Sequence, residues 1–221
     1  MTNIEKNKFK AILFDLDGTL LDSLVDLAEC ANKVLKTQRL PTHPIESYGT
    51  FVGDGVRMLL KNAAPIETPE EVIDECIPLM KDYYNKNWAV NSNLYEGIPQ
   101  LLDTCIHKKI SLNILSNKPD AFCHKIADHF LNSWSFDIIR GAFEEIPLKP
   151  DPTSTIDILS KSPIPVEQWL YLGDTDTDMK TATNANMTAV GVSWGFREKK
   201  ELMENGANFV IDHPLELLDY L

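Results

Sequence analysis

FKAILFDLDGTLLDS, residues 9–23, reads as one strand and the turn that ends it. Ala11-Ile12-Leu13-Phe14 is an apolar run without polar alternation, the pattern of a strand covered on both faces in a parallel sheet. Asp15 and Asp17 follow it, and Gly18-Thr19 turn the chain. Ligands of open α/β sheets sit outside the carboxyl ends of the strands, which is where Asp15 falls. A strand running into an Asp-Gly turn looks the same when taken alone. Bare acids at a buried strand end are costly, however, unless a cation or a proton compensates them.

Working outward, further strands are predicted at Leu112–Leu115, Phe136–Ile139, Trp169–Leu172, Thr188–Val192 and Phe209–Ile211, each separated from the next by helical pattern. That alternation is the mark of a doubly wound parallel sheet in an α/β protein. Between Asp22 and Asn91 the sequence carries helices and no convincing strand. Leu24, Leu27, Ala28, Ala31, Val34 and Leu35 repeat on one helix face, and Ser23 with Asp26 has the spacing of a capping box. Thr68-Pro69-Glu70-Glu71 starts another helix, expected to reach about Trp88 with a bend at Pro78. The expected organisation is therefore an α/β core, residues 1–21 and 93–221, with a small helical cap domain, 22–92, inserted at a loop whose ends lie close together.

With 221 residues, 43% of them hydrophobic and 24% charged, the chain can bury a full core. A net charge of −12 opposes nucleic acid or an anionic membrane as partner, while leaving room for a small anion in a locally positive site. No apolar run is long enough to span a bilayer, and the opening MTNIEKNK lacks the apolar segment of a secretory signal. Cys30, Cys76, Cys105 and Cys123 lie far apart within amphipathic helical pattern, which predicts buried free thiols and a cytoplasmic setting.

Three more short segments fall at strand ends: Ser116-Asn117, then Lys149-Pro150, then Asp174 and Asp178 in GDTDTDM. Singly they read as a turn, a solvated loop charge and a helix cap. In the order DxDGT, S, K, GDxxxD, with a helical insert after the first motif, the set resembles the haloacid-dehalogenase-like hydrolases, specifically their phosphoglycolate-phosphatase-like branch. The resemblance runs over nearly the whole chain.

It implies a phosphomonoesterase acting on a small phosphorylated metabolite such as 2-phosphoglycolate, with Asp15 as nucleophile forming an aspartyl-phosphate and Asp17 as general acid and base. It implies Mg²⁺ held by the Asp15 and Asp174 side chains and the Asp17 backbone carbonyl. Asp178 would support that metal from behind, or act only as a helix cap. Ser116 and Lys149 would neutralise and hold the phosphoryl group, with Thr19 and backbone N–H groups near Leu16, Gly18 and Asn117 around it. In the insert, Phe51–Arg57 resembles the glycine-bearing cap loop of that branch. Arg57 there could pair with a substrate carboxylate or lie on the surface of a helix. Lys118 and Arg197 are weaker candidates for the same task, and Asp54 departs from what an anionic substrate would favour. A monomer or homodimer is expected. A β-phosphoglucomutase-like transferase, a broad sugar-phosphate phosphatase or a pyrophosphatase would use the same core. A dehalogenase is disfavoured by Asp17, and a catalytically silent binding protein would be expected to have lost one of Asp15, Asp17, Lys149 and Asp174.

Overall fold

A computed structural model describes residues 8–221. Six strands, β1 (Ala11–Phe14), β4 (Ser111–Pro119), β5 (Ile138–Ala142), β6 (Trp169–Gly173), β7 (Thr188–Val192) and β8 (Phe209–Ile211), form one sheet in the order β5-β4-β1-β6-β7-β8. All its pairings are parallel. The chain winds outward from β1 through β4 to β5, then returns to β6 on the other side. The winding direction therefore reverses between β1 and β6, and a crevice opens at their carboxyl ends.

Side chains alternate across the sheet, and both faces are covered. Ile12, Phe14, Leu112, Ile114, Leu170, Leu172, Val190 and Val192 pack with α4 (Ile98–His107) and α5 (Asp120–Phe130). Ala11, Leu13, Trp169, Tyr171 and Ala189 pack with α6 (Thr153–Ser160), α7 (Asp176–Asn184) and α8 (Lys199–Glu204). This is why the β1 segment shows no polar alternation: neither face meets water.

Residues between the first two sheet strands form α1 (Leu24–Thr37), a 3-10 turn (Ile45–Thr50), α2 (Val56–Ala63) and α3 (Glu70–Asn87). These pack around a core of their own, including Leu27, Val34, Leu35, Tyr48, Leu60, Ile73 and Met80, with Phe122 of α5 reaching into it. A short antiparallel ribbon, β2 (Leu21–Asp22) with β3 (Asn93–Leu94), closes the base of the insert. Nothing in the residue pattern announces this ribbon, because two residues per strand are too few for a periodicity.

The capping box expected at Ser23 and Asp26 does not form. Ser23 Oγ donates instead to Asp17 Oδ1 at 2.6 Å. The buried Asp26 carboxylate accepts from the backbone N–H groups of Val90, Asn91 and Ser92, from Asn91 Nδ2 and from Ser92 Oγ. It ties the start of the insert to its end, a long-range demand that outweighs the local cap. The helix expected from Thr68 begins one residue later than its sequence suggests, with Pro69 as its flanking residue. The strand expected at 112–115 extends to Pro119, and the one expected at 136–139 is displaced to 138–142. All four cysteines are buried free thiols. Among the described residues, no helix is long and apolar enough to cross a membrane.

Candidate active site

Asp15 continues β1 by one residue, its N–H donating to Leu172 O at 2.8 Å. Asp174 follows β6 next to it. Asp178 comes in on the first turn of α7, and one carboxylate oxygen from each of the three lies within 4.8 Å of the others. Lys149, from the loop before α6, places its ammonium 2.6 Å from Asp15 Oδ1 and 2.7 Å from Asp178 Oδ1. Thr19 Oγ1 and the Phe196 N–H hold the two oxygens of Asp174 at 3.1 and 2.8 Å.

Asp178 also completes a capping box with Thr175, accepting from its N–H at 3.0 Å and its hydroxyl at 2.7 Å. Of the two roles considered for this residue the structure shows the cap of α7, and the same carboxylate also faces Lys149. Gly18 has φ +87°, and a Cβ there would run into the Asp174 carboxylate, so the turn needs glycine on both counts.

Three carboxylates face one ammonium, leaving two negative charges unbalanced. Burial pushes the Asp15 carboxyl up to about 7, opposed by Lys149, with Asp178 raising it further. Burial, then Asp178 and Asp15, hold Asp174 well above the usual carboxylate range. A group of hard oxygen donors short of two positive charges suits a divalent cation such as Mg²⁺ or Ca²⁺ and gives a soft metal no thiolate or imidazole.

Asp17 stands apart from that group. Its carboxylate accepts from Ser23 Oγ and from Lys118 Nζ at 2.9 and 2.7 Å. Ser116, buried in β4, accepts the Lys118 N–H on its hydroxyl oxygen at 3.2 Å. Asn117 receives the Lys149 N–H and donates to Lys149 O, fixing the lysine backbone.

The Gly18 N–H is taken up inside its own turn by Leu21 O, at 2.8 Å. Of the two alternatives for Arg57, the structure shows the surface one: it is exposed on α2 and paired with Glu70 and Asp74 of α3. Lys118, a weaker candidate by sequence, is the cation found on Asp17. Tyr84 of α3 lays its ring over the same ammonium, 4.6 Å from nitrogen to centroid, and escapes a sequence reading because there it is only part of an apolar helix face.

The insert docks on the core through a few polar contacts. Arg197 donates to the carbonyls of Gly49 and, at 2.9 Å, of Val52, while Asn117 Nδ2 donates to Gly53 O at 3.0 Å. Asp54 accepts from Thr177 Oγ1 at 2.7 Å. The unexpected acid in the cap loop is thus engaged by α7.

The family model of haloacid dehalogenase-like hydrolases matches residues 12–192. A phosphoglycolate phosphatase of Aquifex aeolicus is 32% identical over 212 residues, covering 95% of each chain. One of Photobacterium profundum is 30% identical over 218 residues, covering 95% of this chain and 94% of its own. The crystal structure of a predicted phosphoglycolate phosphatase from Haemophilus somnus superposes with a TM-score of 0.88 at 26% identity, over 97% of this chain and 98% of that one.

Proposed function

This chain belongs to the haloacid dehalogenase-like hydrolases, and on that premise we propose that it is a Mg²⁺-dependent phosphatase of a small phosphate monoester, with 2-phosphoglycolate as substrate. The observation that carries the reading is the group of Asp15, Asp174 and Asp178 around Lys149 at the β1 and β6 ends. The named relatives support the choice of ester.

Asp15 is the nucleophile. Lys149 holds its Oδ1, which leaves Oδ2 to attack phosphorus. As the new O–P bond forms, the ester O–P bond breaks, and the leaving oxygen takes a proton from Asp17, which enters this step in its protonated form. Asp17 then accepts a proton from a water that attacks the same phosphorus, releasing inorganic phosphate and the free Asp15 carboxylate. Lys149 offsets the charge of nucleophile and phosphoryl group throughout, and the Ser116 hydroxyl donates to a phosphoryl oxygen. Mg²⁺, held by Asp15, Asp174 and the Asp17 carbonyl with Asp178 behind, would supply the two missing positive charges and polarise the phosphoryl oxygens. The helical insert, 22–92, is the cap that closes over the site and excludes bulk water. Burial of all four thiols without disulfides supports a cytoplasmic setting.

The test is phosphate release from a panel of small esters with Mg²⁺ and then with EDTA. Metal-dependent release from 2-phosphoglycolate above hexose and aryl phosphates is expected. Isomerisation of a hexose phosphate without phosphate release would replace this reading with a mutase.

A further inference from the structure

If Arg57 does not read the leaving group, something else must. Of the four cations singled out from the sequence, Lys149 is committed to the nucleophile side, Arg57 to Glu70 and Asp74, and Arg197 to carbonyls of the insert. Lys118 remains. Its ammonium is almost wholly buried and spans both oxygens of Asp17, the residue that serves the leaving oxygen. An ammonium has three donors, and Asp17 uses two of them.

Tyr84, on α3 of the insert, covers the same ammonium, with the lysine nitrogen 4.6 Å from the ring centroid. The Tyr84 hydroxyl is buried beside the Lys118 ammonium and, among the described residues, has no acceptor for its O–H. Leaving a buried hydroxyl unmatched costs free energy, so an acceptor that arrives with a ligand accounts for it. Burial also pushes the phenol up to about 12, so it stays a donor at neutral pH.

We propose that Lys118 of the core and Tyr84 of the insert together form the subsite for a carboxylate on the leaving group, making them the specificity-determining pair for 2-phospho carboxylic acids. In such an ester the carboxylate carbon is two bonds from the leaving oxygen. A leaving oxygen at Asp17 therefore brings the carboxylate within reach of the ammonium that already touches Asp17. One partner comes from each side of the cleft, so the subsite is complete only with the insert packed on the core. A neutral leaving group leaves the Tyr84 hydroxyl unmatched and gains nothing from the third donor of Lys118.

This inference rests on the phosphatase reading, and the experiment separates the two. The quantity to measure is the ratio of kcat/KM for 2-phosphoglycolate over phenyl phosphate. Lys118→Met should lower that ratio by about 10- to 100-fold, and Tyr84→Phe by about 5-fold, mainly through KM for the carboxylated ester. Equal losses on both esters would overturn the proposal and leave Lys118 as a positioning residue for Asp17. If Lys118→Met does not fold, Tyr84→Phe, which removes only an oxygen, decides alone. A wild-type enzyme that hydrolyses phenyl phosphate without favouring 2-phosphoglycolate would overturn the subsite but not the phosphatase. One that hydrolyses neither would overturn both.

Discussion

Asp26→Ala should destabilise the fold by about 2–4 kcal/mol at neutral pH. The carboxylate is 1% exposed and serves three backbone N–H groups and two side chains of residues 90–92. Val90 and Asn91 are exposed and can turn to water once it is gone. Ser92 is 4% exposed, so its N–H and its hydroxyl lose their acceptor without gaining another. Each such buried donor costs about 1–3 kcal/mol, and partial entry of water brings the pair to the stated range. For a chain of this length that corresponds to a fall in Tm of roughly 5–12 °C. The effect carries a pH signature. Burial raises the Asp26 carboxyl, but hydrogen bonds from Ser92 and Asn91 outweigh it and leave the group below its ordinary value of 3.8. A carboxyl depressed on folding stabilises fully above its unfolded pKa, and the contribution is lost as the pH falls through the folded value. Urea unfolding of wild type and variant at about pH 7, and again near pH 3, should therefore show a gap that narrows in acid. A gap below about 1 kcal/mol at neutral pH, or one that does not change with pH, would refute this account of the clasp.

Asp15→Asn keeps the side-chain volume but removes the nucleophile, and phosphate release should fall by on the order of 10⁴-fold or more with the circular dichroism spectrum unchanged; near-normal turnover would end the proposed mechanism. Mg²⁺ at about 100 times its Kd should add ~2.7 kcal/mol of stability, read as a rise in Tm. Asp174→Asn should blunt that response, and an identical rise in both proteins would place the cation elsewhere. Arg57→Ala should leave the 2-phosphoglycolate to phenyl phosphate ratio where it was, because its partners are Glu70 and Asp74; a selective loss on the carboxylated ester would return Arg57 to the cleft.

The parts of this protein legible in its sequence are those where chemistry and neighbours lie on the same short stretch. The strands from Ala11, Trp169 and Thr188 stand out because a sheet covered on both faces needs unbroken apolar runs. Asp15 and Asp174 stand out because each ends such a run. Partnerships across the chain leave no local trace. Lys118 meets Asp17 from 101 residues away, Asp26 meets Ser92 from 66, and Asp54 meets Thr177 from 123. Sequence showed an ammonium or a carboxylate in each case, but its partner depended on which strand ends and which face of the insert the topology brings together. The false capping box at Ser23 has the same origin: a plausible local pattern overruled by a distant partner.

Arg197 and Asn117 grip the insert by main-chain oxygens, those of Gly49, Val52 and Gly53. Such a grip recognises the path of the loop and is indifferent to most of the side chains it carries. Apart from Asp54, the buried Val52 and the glycines Gly53 and Gly55 at positive φ, the loop can vary its side chains while still seating on the same core, provided its backbone keeps its course. Docking and selectivity are thus assigned to different residues of the insert. A lineage could retune which leaving group it accepts by substitutions in the insert without first rebuilding how the insert is held.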